Sequence, residues 1–263
     1  MTNKEKSIIG LLATAVLLFS AGCAGAAAAG ASRDPQSVTE HETLSASLES
    51  AAPVNGAAES DDWRLRLVNR WCPITEAYSP TLTQLINGQA IDERCYPDLQ
   101  EMMDACRAAG QSPLICSSYR TWETQQELYE NKIYRLLAEG YDADAAISEA
   151  GTVVAVPGTS EHQLGLAVDI VDMDNQNLDE SQEDTPVQKW LMEHSWEYGW
   201  ILRYPSDKSD ITGIIYEPWH YRYVGKDAAR EIYTLGVCLE EYLDRENASE
   251  SPARSDCSQA SNR

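Results

Sequence analysis

The sequence predicts an α+β fold in which helices flank a mainly antiparallel sheet. Segments with helical periodicity cluster early, and segments in which apolar residues alternate with polar or small ones cluster late. Elements segregated in this way along a chain favour α+β over an alternating parallel architecture. Residues 62–246 carry these patterns, and that length is sufficient for one domain with its own hydrophobic core.

Helices are predicted from apolar residues three and four positions apart and from the residues that end each run. The first, over 97–109, places Leu99, Met102 and Cys106 on one face and ends at Gly110. Further helices are predicted over 123–139, 142–150, 186–198 and 227–244. Pro186 suits the first turn of its helix, where no amide hydrogen is required.

Strands are predicted where the pattern repeats every two residues. They cover 114–119, 164–171, 200–204 and 214–223, and the last two are predicted to form a hairpin.

The N-terminus has the features of an export signal. Lys4 and Lys6 precede an apolar run over 8–19, and Ser20-Ala21-Gly22 leads into Cys23. A basic start, a short apolar run and small residues before a cleavage site are typical of a signal peptide. We interpret 1–23 as a lipoprotein signal ending at a lipidated Cys23; the alternatives are an ordinary signal peptide or an uncleaved anchor. The polar, Ala- and Ser-rich residues 24–61 then form a flexible tether, and 247–263 form a disordered tail.

Composition disfavours nucleic acid as a partner and does not decide how the cysteines pair. The formal charge is −22, from 42 acidic and 20 basic residues, which disfavours nucleic-acid binding because that requires a basic face. If Cys23 carries lipid, six cysteines remain, and an even number in an exported chain allows disulfides of unknown pairing. Cys106 and Cys116 flank a short turn and could meet, or both could be buried as small apolar residues.

Two histidines and an aspartate are the candidate metal ligands. His162 stands a few residues before Asp169, and His220 follows about fifty residues later. From Gly165 onward small residues alternate with apolar ones, so Asp169 lies on a strand whose other face suits the core. Three nitrogen and oxygen ligands with an open fourth position are typical of a catalytic zinc site. We expect the metal on the exposed face of the sheet, under the covering loops.

A glutamate precedes the second histidine by three residues. In a regular strand Glu217 and His220 would face opposite ways, but Pro218 cannot donate to a strand ladder and favours a bulge or a strand start. A bend there would bring Glu217 to the metal, where a carboxylate can take the proton of a water molecule. The other two histidines, His41 and His194, are interpreted as structural or solvated.

Three motifs carry a family resemblance: Ser117-Ser118-Tyr119-Arg120, then the segment over 160–169, then Glu217-Pro218-Trp219-His220. Their order is similar to S-x-Y-R, S-x-H-x-x-G-x-A-x-D and E-x-W-H of the zinc D-alanyl-D-alanine carboxypeptidases of the VanY type. The resemblance runs from about residue 69 to about residue 244. One difference is Ser118, where glycine is common in the family.

The resemblance implies a role for each matching residue. His162, Asp169 and His220 would bind Zn²⁺. Glu217 would act as general base and then as proton donor, and Arg120 would stabilise the developing oxyanion or hold the substrate carboxylate. The matching residues expected around the substrate are Tyr119, Gln125 and Ser160. The family's fold is the one shared with the hedgehog signalling domain.

The implied function is hydrolysis of the C-terminal D-alanine of peptidoglycan stem peptides by a zinc carboxypeptidase. The alternatives are an L,D-carboxypeptidase acting on tetrapeptide stems, a peptidoglycan endopeptidase and, more distantly, a non-catalytic wall-binding lipoprotein. With the lipid anchor, we expect a monomer held at the outer face of the cell membrane, facing the cell wall.

Overall fold

The computed structural model describes residues 62–249. The predicted signal peptide with Cys23, the tether over 24–61, His41 and the end of the tail lie outside the described residues. Among the described residues, no helix is both long enough and apolar enough to cross a membrane.

The architecture is α+β, as predicted, and every strand pairing among the described residues is antiparallel. The strands are β1 (Leu82–Gln84), β2 (Ala90–Asp92), β3 (Pro113–Ser117), β4 (Ala167–Asp172), β5 (Trp200–Leu202) and β6 (His220–Tyr223). β1 and β2 form a separate hairpin, and the main sheet has the order β3-β4-β6-β5. The central strands β4 and β6 therefore lie side by side.

Helices flank this sheet, and three of them begin at a side-chain cap. They are α1 (Tyr96–Ala108), α2 (Trp122–Ala138), α3 (Ala143–Val153), α4 (Pro186–His194), α5 (Ser209–Thr212), α6 (Lys226–Leu235) and α7 (Leu239–Ser249). Thr121, Asp142 and Thr185 each accept a hydrogen bond from the backbone amide three residues on. Such side-chain acceptors satisfy amides that the first turn leaves unpaired, which fixes where each helix starts.

Several predicted boundaries are wrong for local reasons. Residues 214–219 are a loop and a turn, so the hairpin of β5 and β6 is shorter than predicted. The single helix predicted over 227–244 is two helices, because Gly236 adopts a left-handed conformation with φ 65° and ends α6. The helix over 186–198 becomes a 3-10 turn from Ser195 onward. The β1–β2 hairpin and the short helix α5 had not been predicted.

The hydrophobic core lies on the face of β4 that carries Val168 and Ile170, together with Leu166 just before the strand. These side chains form one cluster with buried residues of α1 and α4 and with Trp200, as the alternating pattern predicted. A second cluster joins β5 to α6 and α7.

The opposite face of β4 lies under covering segments, as expected, but its residues are buried rather than exposed. All six residues of β4 are buried, and Asp169 is 2% exposed. The segment that carries His162 and the turn that carries Glu217 lie over this face. A site here is therefore shielded from bulk water.

The described cysteines are one bonded residue and four free ones. Cys72 is disulfide-bonded. Within residues 62–249, Cys95, Cys106, Cys116 and Cys238 are free. Cys106 is buried beneath the sheet and Cys116 is partly buried in β3, so these two do not form the disulfide that their spacing allowed.

Candidate metal centre

Three predicted ligands converge on the covered face of the sheet. Asp169 in β4 is paired directly with His220 at the start of β6, and His162 reaches the same point from a 3-10 turn, Glu161–Leu164. One ligand atom from each residue lies within 4.8 Å of the others. All three side chains are 3% exposed or less. The cluster is thus compact enough for a single ion.

Backbone contacts fix the orientation of His162. Its Nδ1 lies 2.7 Å from the carbonyl oxygen of Ser118, and a neutral ring donates its proton there. The opposite atom, Nε2, lies 3.3 Å from Asp169 Oδ2. The 3-10 turn ends at Gly165, whose φ of 73° suits glycine. The unprotonated Nε2 is therefore presented to the site.

His220 approaches Asp169 from the other side and through Nδ1, whereas His162 uses Nε2. Its Nδ1 lies 3.1 Å from Asp169 Oδ1, and the two imidazole rings are 4.8 Å apart in an edge-to-face arrangement. The carboxylate of Asp169 thus lies between Nε2 of one histidine and Nδ1 of the other.

The bend predicted at Pro218 is present. Pro218 and Trp219 form a turn, in which the amide of His220 donates to the carbonyl oxygen of Glu217 at 3.1 Å. The turn brings Glu217 Oε2 to 3.7 Å from His220 Nδ1. Burial, together with the nearby Asp169 charge, raises the pKa of Glu217 to about 8. A carboxyl group with such a pKa can hold or release a proton near neutral pH.

Arg120 is anchored rather than free at the surface. Its Nη2 donates to Asp169 Oδ2 at 2.9 Å and to Ser117 Oγ at 2.8 Å. Nε also donates to Ser117 Oγ, and Nη1 donates to Gln125 Oε1. A guanidinium has five N–H donors, so one on Nη1 has no acceptor within the described part of the chain. The guanidinium is thus fixed beside the ligands, and one of its N–H donors is available to a substrate.

The ligand electrostatics suit a divalent cation. Burial lowers the pKa of His162 to about 4, with a further contribution from Arg120, so this imidazole is neutral. Burial opposes the charge of Asp169, but His162 and Arg120 outweigh it and hold the pKa of that carboxyl well below its usual range. Burial also opposes a charged His220, yet its contacts with Asp169 and Glu161 raise its pKa to about 9 in the metal-free protein. A bound cation would take the place of that proton.

The three residues predicted around the substrate occupy different environments. Gln125 is fully buried, and its amide donates to the carbonyl oxygen of Ala155 at 2.6 Å while accepting from Arg120. Ser160 is 3% exposed and precedes the 3-10 turn. Tyr119 is half-buried at the end of β3, next to Arg120. Their contact with a substrate stays a prediction, and Gln125 evidently supports Arg120.

The remaining histidine of the described residues, His194, does not belong to the ligand cluster. His194 ends α4, is partly exposed and contacts Glu197 through Nδ1 at 2.8 Å. This position agrees with its interpretation as a structural or solvated residue.

Sequence reasoning missed the residues that support the ligands. Glu161, Arg203 and Arg222 are all fully buried, and Ser118 supplies the carbonyl that orients His162. The position of Glu161, directly before a ligand, was an available signal. The sequence around Arg203 gave no such signal, because an arginine next to a strand normally lies in solvent.

The residues fit a zinc ion. Two imidazoles and one carboxylate are donors that Zn²⁺ binds well, and three protein ligands leave the open position that catalytic sites keep. The nearby Glu217 and Arg120 supply an acid–base group and a fixed cation. A site with these parts can hydrolyse an amide bond.

Comparisons with known proteins agree with this geometry. The VanY family, described as D-alanyl-D-alanine carboxypeptidase, matches residues 88–226. A D-alanyl-D-alanine carboxypeptidase of Enterococcus faecalis is 51% identical over 189 residues, which are 72% of this chain and 68% of the relative.

Two solved structures share the fold. A vancomycin-resistance D,D-pentapeptidase VanY in complex with Zn(II) matches with a TM-score of 0.64 and 51% identity, covering 69% of this chain and 99% of the other. The LD-carboxypeptidase LdcB matches with a TM-score of 0.60 and 34% identity, covering 68% and 84%. The chain belongs to the VanY family of zinc-dependent D-alanyl-D-alanine carboxypeptidases.

Proposed function

We propose that this protein removes the C-terminal D-alanine from peptidoglycan stem peptides ending in D-Ala-D-Ala. One observation carries the proposal: a buried carboxyl, Glu217, lies 3.7 Å from the ligand atom of His220 with its pKa raised to about 8. This is the group that amide hydrolysis needs beside a metal centre. The 51% identity to a D,D-carboxypeptidase supports the choice of bond.

His162, Asp169 and His220 would hold the zinc ion, which when bound acts as a Lewis acid toward a carbonyl oxygen and lowers the pKa of water. Glu217 accepts the proton of the attacking water and later delivers it to the departing amine of D-alanine. Because its turn places it over the ligands, one carboxyl can serve both steps.

Arg120 stabilises negative charge on the substrate. Its four hydrogen bonds to Ser117, Gln125 and Asp169 hold the guanidinium in place before substrate arrives. A donor fixed in advance stabilises charge without the cost of reorganisation. The remaining Nη1 donor can meet either the developing oxyanion or the terminal carboxylate, with Tyr119 and Ser160 lining the approach.

The test is release of D-alanine from a stem pentapeptide by the purified protein with Zn²⁺. Glu217→Gln should abolish release while zinc content is unchanged. If the variant loses zinc together with activity, the role assigned to Glu217 is wrong.

The second candidate is cleavage of the L,D bond of tetrapeptide stems. It is favoured by the match to the LD-carboxypeptidase LdcB at 34% identity. The same ligands serve both reactions, so parallel assays on pentapeptide, tetrapeptide and intact wall separate these activities and the endopeptidase alternative. Bound zinc without hydrolysis of any of these substrates would indicate a non-catalytic wall-binding protein.

We also infer the location from the N-terminal sequence. Lipidation of Cys23 would anchor the protein, as a monomer, to the outer face of the cell membrane, and residues 24–61 would let the domain reach the wall. A Cys23→Ala variant should then leave the membrane fraction, which cell fractionation measures. Membrane retention of this variant would indicate another mode of attachment.

A further inference from the structure

A buried carboxylate next to one ligand is held by two buried arginines. Glu161 Oε1 accepts hydrogen bonds from Arg203 Nε and from Arg222 Nη1, both at 2.7 Å. All three side chains are 0% exposed. Charged groups are rarely fully buried unless they are paired. The placement of Glu161 is therefore closely determined.

The other oxygen of this carboxylate has a different environment. Glu161 Oε2 and His220 Nε2 are two of the buried side-chain polar atoms that have no hydrogen-bond partner in the described residues. These two atoms lie 3.5 Å apart. One is an acceptor and the other can carry a proton, so a small movement joins them. Unpaired buried polar atoms are uncommon and call for a physical explanation.

We propose that Glu161 is a positioning residue that holds His220 as a metal ligand through Nδ1. A hydrogen bond from Nε2–H to Glu161 keeps the proton on Nε2, which leaves the Nδ1 lone pair for the ion. Carboxylates that accept from the outer nitrogen of a ligating histidine fix its tautomer and ring orientation. Because both arginines hold Oε1, Oε2 is the atom that faces His220. The inference rests on the zinc centre of the proposed function.

The support of Glu161 extends to the last described helix. Arg203 Nη1 and Nη2 also donate to the two carboxylate oxygens of Glu240 in α7, at 2.9 and 2.7 Å, and Asn69 donates to the same carboxylate. Arg222 Nη2 donates to the backbone carbonyls of residues 64 and 66. Two carboxylates and two guanidiniums balance in charge. The network thus ties α7 and the segment after residue 62 to the metal centre.

Glu240 provides a matched control for Glu161. Both are buried carboxylates hydrogen-bonded to Arg203, but only Glu161 faces a metal ligand. Glu161→Gln and Glu240→Gln each remove one negative charge from the same network. The zinc dissociation constant of each variant is measured by competition with a chromogenic chelator, and the thermal midpoint of each is measured without metal.

We expect Glu161→Gln to weaken zinc binding by about 10- to 100-fold, the usual effect of losing such a partner. Glu240→Gln should weaken it less than about threefold, since its partner is Arg203. The zinc-saturated Glu161→Gln enzyme should show a lower kcat with KM little changed, and its Co²⁺-substituted form should have an altered visible spectrum. Glu240→Gln should keep the wild-type spectrum.

The single variant Glu161→Gln leaves an unbalanced buried charge and could fail to fold. The double variant Glu161→Gln, Arg222→Gln tests the same inference without that imbalance. It keeps the network neutral, so weak zinc binding in this variant supports positioning by the carboxylate. Wild-type zinc affinity in it would show that Glu161 serves only charge balance and would overturn the inference. Equal zinc affinity of the Glu161→Gln and Glu240→Gln variants would also overturn it, while D-alanine release by the wild-type enzyme would leave the proposed function standing.

Discussion

Replacing Glu217 by glutamine should stabilise the metal-free protein while it removes the activity. The carboxyl is 11% exposed, and burial, reinforced by the charge of Asp169, raises its pKa from 4.5 to about 8. The ionised form is thus held in the fold at a cost that a neutral amide of the same shape does not incur. Sites built for chemistry commonly carry such a cost.

The sign and size of the effect follow from the two pKa values. The unfolded chain loses this proton near pH 4.5 and the folded protein near pH 8, so ionisation of Glu217 favours unfolding. The cost is absent well below pH 4.5, grows as the pH rises and levels off above pH 8. At 1.36 kcal/mol per pH unit, it amounts to under ~1 kcal/mol at pH 5, ~3 at pH 7 and ~4 at pH 8.

Urea unfolding of chelator-treated protein measures the difference. The Glu217→Gln variant should exceed wild type in free energy of unfolding by an amount that increases from pH 5 to pH 8. Glu93→Gln, at an exposed carboxylate, is the matched control and should show no such increase. Transitions are compared at equal slope, since a change in slope would indicate a different unfolded or native state.

Two results would refute the reasoning about Glu217. A variant less stable than wild type at pH 8 would mean that the charged carboxylate is favoured in the fold. A gain that is the same at pH 5 and pH 8 would mean that the effect comes from packing and has no connection with ionisation.

Three further predictions concern the ligands, a buried turn and the fixed cation. Asp169→Ala should lose zinc and activity together by elemental analysis and D-alanine release, whereas His194→Ala should keep both; zinc retained in the Asp169 variant would mean the ligand set is wrong. Gly158→Ala should lower the free energy of unfolding in urea by roughly 2–4 kcal/mol, because at φ +87° its new Cβ would lie 2.8 Å from a backbone oxygen. The control Gly110→Ala, with φ +85° and open space around the new Cβ, should lower it by only about 1–2 kcal/mol. Equal losses of stability in the two variants would exclude the clash. Arg120→Lys should lower kcat/KM by about 100-fold with zinc retained, since lysine lacks the planar fork of donors; unchanged kcat/KM would remove Arg120 from the mechanism.

Local chemistry made part of the fold predictable. The helix over 97–109 was identified from its apolar face and from Gly110, and the structure has it at Tyr96–Ala108. The bend that carries Glu217 followed from Pro218 alone, since proline limits strand pairing. Each of these features is decided by residues within a few positions of one another.

Features decided by distant contacts were not predictable in the same way. β1 and β2 have three residues each, too few for a periodic pattern. Their hairpin is joined to the end of β3 by Ser118, whose hydroxyl accepts from the amide of Ala90 and donates to Gln89. Nothing near Ser118 in the sequence indicates those partners. This serine, where the family commonly has glycine, thus gives the hairpin a specific attachment beside His162.

The strand β6 shows why the residues that support the ligands were not predicted from sequence periodicity. Its alternation of aromatic residues with His220 and Arg222 is normally typical of a strand with one buried and one solvated face. Here all four residues are buried, because Glu161 neutralises Arg222 and faces His220 with its other oxygen. The polar face of the strand is therefore the interior of the metal centre. A buried arginine in line with a metal ligand is explained by the carboxylate that the two share, and that carboxylate lies 61 residues away along the chain.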